Sequence, residues 1–206
     1  MIAIILGAVV LFGTLFMRKS IGPLDFWWWM SLNLVILIAW SAIKSHRYRN
    51  FVLEDLRHRI PKKIAIGLVS AVVLYFIFYV GNILSRKFLP LSANSIVEVY
   101  NLKAGISPWR VWLLMTLVIG PGEEYFWRGY VQRALAARIG RLPSWILTAA
   151  IYAGIHAGSG NPMLLLAALV CGVFWGWLYI RFDSILLNAV SHTAWDVAVF
   201  LIFPFS

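Results

Sequence analysis

Apolar residues fall in long blocks along this chain, and charged residues are confined to short stretches between them. The blocks cover residues 2–17, 24–43, 64–85, 108–139, 143–157, 162–181 and 184–203. A helix needs about 20 apolar residues to cross a hydrocarbon core of about 30 Å. The pattern predicts an all-α, polytopic membrane helix bundle of about six to eight transmembrane helices. Residues 1–206 are expected to form one membrane domain. The first and fifth blocks are short for the core and are expected to tilt little or to end in the interface. The fourth is long, and Gly120-Pro121-Gly122 interrupts it. Proline removes a backbone donor and glycine frees the backbone, so a kinked or broken helix is expected there. A new helical segment would start close to Glu123, where the helix dipole favours negative charge. Broken backbone at membrane depth is tolerated only where it faces protein or water, which puts Glu123 and its neighbours at a cavity.

Two other stretches are amphipathic rather than apolar. In 92–103, Ile96, Val97, Val99, Tyr100 and Leu102 form an apolar stripe. In 50–59, Phe51, Leu53 and Leu56 alternate with Glu54, Asp55, Arg57 and Arg59. Both are expected to lie on the membrane surface. Trp27, Trp28 and Trp29 suit an interfacial aromatic belt. The run 2–17 has no basic residue before it and no small-residue cleavage pattern after it, and is expected to be a retained helix. There is no internal repeat and no low-complexity tract.

Composition sharpens this picture. The chain is 62% hydrophobic and 13% charged, whereas soluble domains run near half and a quarter. The protein is expected in a membrane as a multi-pass protein, with a prokaryotic cytoplasmic (inner) membrane as the location. The net charge of +10 is unevenly spread: seven of the 18 Lys/Arg fall in 44–63. That clustering is the signature of a cytoplasmic loop and not of a nucleic-acid partner. With 44–63 inside, eleven Lys/Arg face the cytoplasm, counting Arg133, Arg138, Arg141 and Arg181, and six face outward: Arg18, Lys19, Arg86, Lys87, Lys103 and Arg110. Cys171 is the only cysteine, so no intrachain disulfide forms.

The acidic residues change the picture most. Of eight Asp/Glu, two are adjacent within an apolar block, Glu123 and Glu124. A charge at the centre of a spanning helix costs about 2.5–3.5 kcal/mol on insertion scales. Such a pair needs a partner or a task. Arg128 follows Glu124 by four residues and shares its helix face, so the two can pair. Glu123 is rotated about 100° away. It is left without a local cation and is free to exchange a proton with a reacting group. The pair divides into one supporting and one reactive carboxylate. Tyr152 and His156 are four apart in the fifth block, and His192 and Asp196 repeat the spacing in the last. An Asp one turn after a His can orient the ring or join it in binding a metal or polar substrate.

In this order the motifs Glu123-Glu124-x-x-x-Arg128, Tyr152-x-x-x-His156 and His192-x-x-x-Asp196 resemble the CPBP family of intramembrane proteases. That family, also called Abi, includes type II CAAX prenyl endopeptidases and bacteriocin-processing relatives. The resemblance covers Glu123 to Asp196, and 108–203 would be the catalytic helices. It implies an intramembrane endopeptidase in which Glu123 and His156 activate a water, His192 with Asp196 stabilises the oxyanion, and Glu124 and Arg128 support the site. The substrate implied is a membrane-embedded or lipidated peptide or protein, such as a carboxyl-terminal transmembrane sorting signal. Two positions depart from the family pattern. Tyr152 stands where Phe is usual, and Asp196 where Asn is frequent. Asn can donate to an oxyanion and an ionised Asp cannot. Asp196 would therefore carry a proton, orient His192 or bind metal. Glu123, His156 and His192 are donor types that Zn²⁺ accepts, but no spacing here is specific for zinc, and catalysis without a metal cofactor is the favoured expectation. Ser159 and Ser191 have no base at a recognisable spacing, which argues against a serine nucleophile. A proton-coupled transporter, or a non-catalytic scaffold or immunity protein, would use the same residues differently.

Overall fold

The computed structural model describes residues 1–90 and 92–205. These form nine helices: α1 (Ile2–Arg18), α2 (Phe26–Lys44), α3 (His46–Asp55), α4 (Ile60–Phe88), α5 (Ser92–Asn101), α6 (108–139), α7 (Arg141–His156), α8 (Pro162–Phe182) and α9 (Ile185–Ile202). No β-strand element occurs among the described residues. Short polar side chains set several boundaries. Asp25 accepts from the amides of Trp27 (3.0 Å) and Trp28 (3.2 Å) at the start of α2. Asn161 caps α8 through Leu164 N (3.0 Å), and Ser184 caps α9 through Leu187 N (3.2 Å). Such caps satisfy donors that the first turn leaves free. Gly140, at φ 87°, makes the reversal between α6 and α7 that an L side chain resists.

Helices α2, α4, α8 and α9 are long and apolar enough to cross a membrane. α4 carries a row of exposed apolar side chains, Val69, Val72, Phe76 and Val80 among them, each more than half exposed. An apolar surface of that extent suits lipid, not water. α4 lies along α9, and α8 along α7. The first contact needs Gly67, where a Cβ would come 2.8 Å from the Leu187 carbonyl oxygen. The resulting bundle is an integral membrane fold, as the block pattern predicts.

The long fourth block differs from expectation in form. α6 is continuously helical from 108 to 139, and its interruption is a change of hydrogen-bond register. Met115–Ile119 and Tyr125–Gln132 are π-type turns on either side of the short α-helical piece Gly120–Glu124. The Gly120 amide reaches back five residues to Met115 O. The wider turn accommodates Pro121, which has no N–H and would crowd a regular helix. No free helix N-terminus faces Glu123, so the dipole argument gives way to side-chain partners. The amphipathic stretch expected at 50–59 begins earlier, as α3, because Ser45 caps it through Tyr48 N (3.2 Å). The stretch expected at 92–103 is α5, ending at Asn101. Asp183 pairs with Arg133 (3.3 Å) rather than with its neighbour Arg181.

Candidate active site

α6 places Glu123 and Glu124 at the centre of the bundle, both buried, with Arg128 one turn on. Glu124 and Arg128 are both fully buried and pair at 2.8 Å. The guanidinium lies over the rings of Tyr152 (5.0 Å) and Trp175 (5.7 Å), and Nη2 faces the carbonyls of Cys171 and Gly172 at 3.4 Å each. Glu124 does more than hold Arg128. Its Oε1 also receives His192 Nδ1 (2.8 Å), and its Oε2 receives Asn188 Nδ2 (3.1 Å). Three donors from two helices thus converge on one carboxylate, which offsets the cost of burying it.

Glu123 faces another way, as the 100° rotation predicts. Its Oε2 accepts from the Tyr152 hydroxyl (2.5 Å), which accounts for tyrosine at that position. It also stands 3.9 Å from His192 Nε2. That distance is beyond a direct hydrogen bond. His156, at the end of α7, has Nδ1 2.7 Å from the Tyr152 carbonyl oxygen. A carbonyl only accepts, so Nδ1 carries the proton, and a neutral ring keeps its lone pair on Nε2. Tyr152 therefore fixes Glu123 with its side chain and His156 with its backbone. Phe16 of α1 packs on the His156 ring, with centroids 4.3 Å apart.

His192 stacks on Trp175 (centroids 3.7 Å, 20° between planes). The expected Asp196 partner lies 3.6 Å from Nε2, beyond a hydrogen bond. The group that orients the ring is Glu124, at Nδ1. Ser191 is turned away to Ser70 Oγ (2.9 Å) and Trp175 Nε1 (3.1 Å).

Glu123, Tyr152, His156, His192 and Asp196 all line one cavity of about 320 Å³. The rest of its wall is mainly apolar, with Phe16, Phe26, Met30, Phe78, Leu164 and Phe200. Sequence reasoning missed Asn188 and Trp175. Asn188 left a signal: with His192 and Asp196 it forms a row at four-residue spacing on α9. Trp175 left none, because it meets His192 from another helix. Among the described residues no three His, Cys, Asp or Glu groups are grouped to hold an ion. His192 Nδ1 is committed to Glu124, and Glu123 Oε2 to Tyr152.

A membrane helix bundle that buries a cluster of carboxylates and histidines against an apolar chamber is the class of protein this fold and site define. Residues 105–198 match the family model described as Rce1-like, Type II CAAX prenyl endopeptidase Rce1-like. The match covers a little under half of the chain and contains all three motifs, in agreement with their resemblance to CPBP proteases. It implies, at a coarse level, CAAX-type intramembrane protease activity. No curated protein and no solved structure matches the chain.

Proposed function

We propose that this protein is an intramembrane endopeptidase whose water is activated by Glu123 and His156. The observation that carries this reading is the convergence of Glu123, His156, His192 and Asp196 on one apolar cavity. In the proposed reaction a water held by Glu123 and the free Nε2 of His156 attacks the scissile carbonyl carbon. Its proton passes to Glu123. His192, protonated at Nε2 and held at Nδ1 by Glu124, donates to the developing oxyanion. The C–N bond then breaks, and Glu123 returns the proton to the leaving amine. Asp196 stands close enough to His192 Nε2 to balance its charge while that nitrogen donates. No step uses a metal. Glu124, Arg128 and Asn188 keep His192 in place, and residues 108–203 act as the catalytic helices of a single membrane domain, set in a prokaryotic inner membrane. The apolar chamber suits a substrate with a lipidated or transmembrane tail.

The test uses purified protein reconstituted in lipid. Wild type, Glu123→Ala and His156→Ala are offered a library of apolar-tailed peptides, with and without chelator, and cuts are read by mass spectrometry. Cleavage that both variants lose, and that survives chelation, is expected. Cleavage that persists in Glu123→Ala would sink the mechanism, and loss with chelator alone would replace it with a metal-dependent one.

A further inference from the structure

The cavity has a direction. Its walls come from the start of α2 (Phe26, Trp27), the second half of α4 (Ile77, Asn82), α5, the end of α7 (His156), the start of α8 (Met163, Leu164) and the end of α9 (Phe200). In an up-and-down bundle these segments share one end. Their contacts agree: Trp27 Nε1 donates to Leu102 O (2.9 Å), Asn161 Nδ2 donates to Ser95 O (2.8 Å), and the Phe205 amide donates to Tyr100 Oη (2.9 Å).

The basic loops meet at the other end. Arg133 lies over the Phe51 ring (3.6 Å) and pairs with Asp183, while Asp55 takes both Lys63 (2.6 Å) and the Leu186 amide (2.7 Å). That end therefore gathers 44–63, Arg133, Arg138, Arg141 and Arg181, eleven of the 18 Lys/Arg, against six at the cavity end. Short basic loops stay on the cytoplasmic side. Between the carboxylates and the basic end the bundle is filled: Phe126, Trp127, Arg128 and Val131 have no exposed surface. Toward the lipid the chamber is less closed. Ile77 of α4 and Leu166 of α8 both line it, and both are more than 40% exposed on the bundle surface.

We infer that the site works from the extracytoplasmic half of the bilayer, on substrates that present the scissile bond at the outer end of an apolar anchor reaching the chamber between α4 and α8. This rests on the proteolytic reading above and narrows it. A carboxyl terminus lipidated in the cytoplasm would meet the basic end, whose own cavity, lined by Arg133, Arg141 and Asp183, is cut off from the carboxylates by the filled layer of Phe126, Trp127, Arg128 and Val131. A membrane segment whose outer end has already been translocated would meet the open one.

The test has two independent arms. In a Cys171→Ser background, Ala104→Cys marks the cavity end and His58→Cys the basic loop; both positions are exposed. A membrane-impermeant maleimide added to intact cells is expected to label Ala104→Cys, and His58→Cys only after permeabilisation. The reverse pattern overturns the inference whether or not the protein is a protease. In the second arm, a segment that the detergent-solubilised protein cuts is fused to the outer end of a single apolar span, to its inner end, or to a soluble carrier. Cleavage at least tenfold faster at the outer end supports the inference. Equal or faster cleavage of the inner or soluble form overturns it. Failure to cut any segment in detergent strikes the proteolytic reading, while the labelling still decides the orientation.

Discussion

The ion pair between Glu124 and Arg128 can be tested apart from catalysis. The variants are Arg128→Met, Glu124→Gln and the double replacement. Both partners are fully buried and 2.8 Å apart, and Glu124 also anchors His192 and Asn188. Removing one partner of a buried pair leaves an uncompensated charge and costs about 3–5 kcal/mol. Removing both leaves none. The double variant should therefore lose about 2 kcal/mol less than the sum of the singles. Polar contacts between membrane helices average only about 0.6 kcal/mol, so the two magnitudes are separable. The assay is reversible unfolding in mixed micelles followed by tryptophan fluorescence, which the 11 tryptophans make sensitive. A coupling at or below about 0.6 kcal/mol would refute the view that this pair holds the centre of the bundle. Glu124→Gln should also lower peptidase activity, because His192 Nδ1 loses its charged acceptor.

Other outcomes follow from single contacts. Tyr152→Phe keeps the ring contacts with Trp127 and His156 but removes the donor to Glu123. A hydrogen bond to a charged group is worth about 1.5–3 kcal/mol, so the unfolding assay should show a loss of that order, and kcat should fall as well because Glu123 is no longer held in place. Unchanged kcat would exclude the hydroxyl from the mechanism. Asn188→Leu takes away the donor to Glu124 Oε2 and to the Trp175 carbonyl (2.7 Å). A loss of about 1–3 kcal/mol is expected in the same unfolding assay. Gly67→Ala forces a Cβ against the Leu187 carbonyl and should cost about 1–3 kcal/mol by prising α4 from α9. Wild-type stability in that variant would mean that the two helices are not so closely packed.

The sequence by itself determined the membrane fold, because apolar block length is a property of the chain alone. It also determined the pairs that lie within one helix. Glu124 and Arg128 meet because residues four apart share a face, and Glu123 diverges from them for the same reason. What meets across helices was decided by tertiary structure. The acceptor of the Tyr152 hydroxyl, the stacking of His192 on Trp175, and the choice of Glu124 over Asp196 as the partner of His192 Nδ1 depend on how each helix is rotated against the next. In α6 that rotation is altered by π-type turns, each of which takes an extra residue and shifts every later side chain by about 100°. The phase of Glu124 and Arg128 toward α9 and α8 is thus set by how the chain packs around Pro121, through contacts distant in sequence. The direction of the cavity combines both levels: the charges are written in the chain, and the folded bundle turns the site away from them.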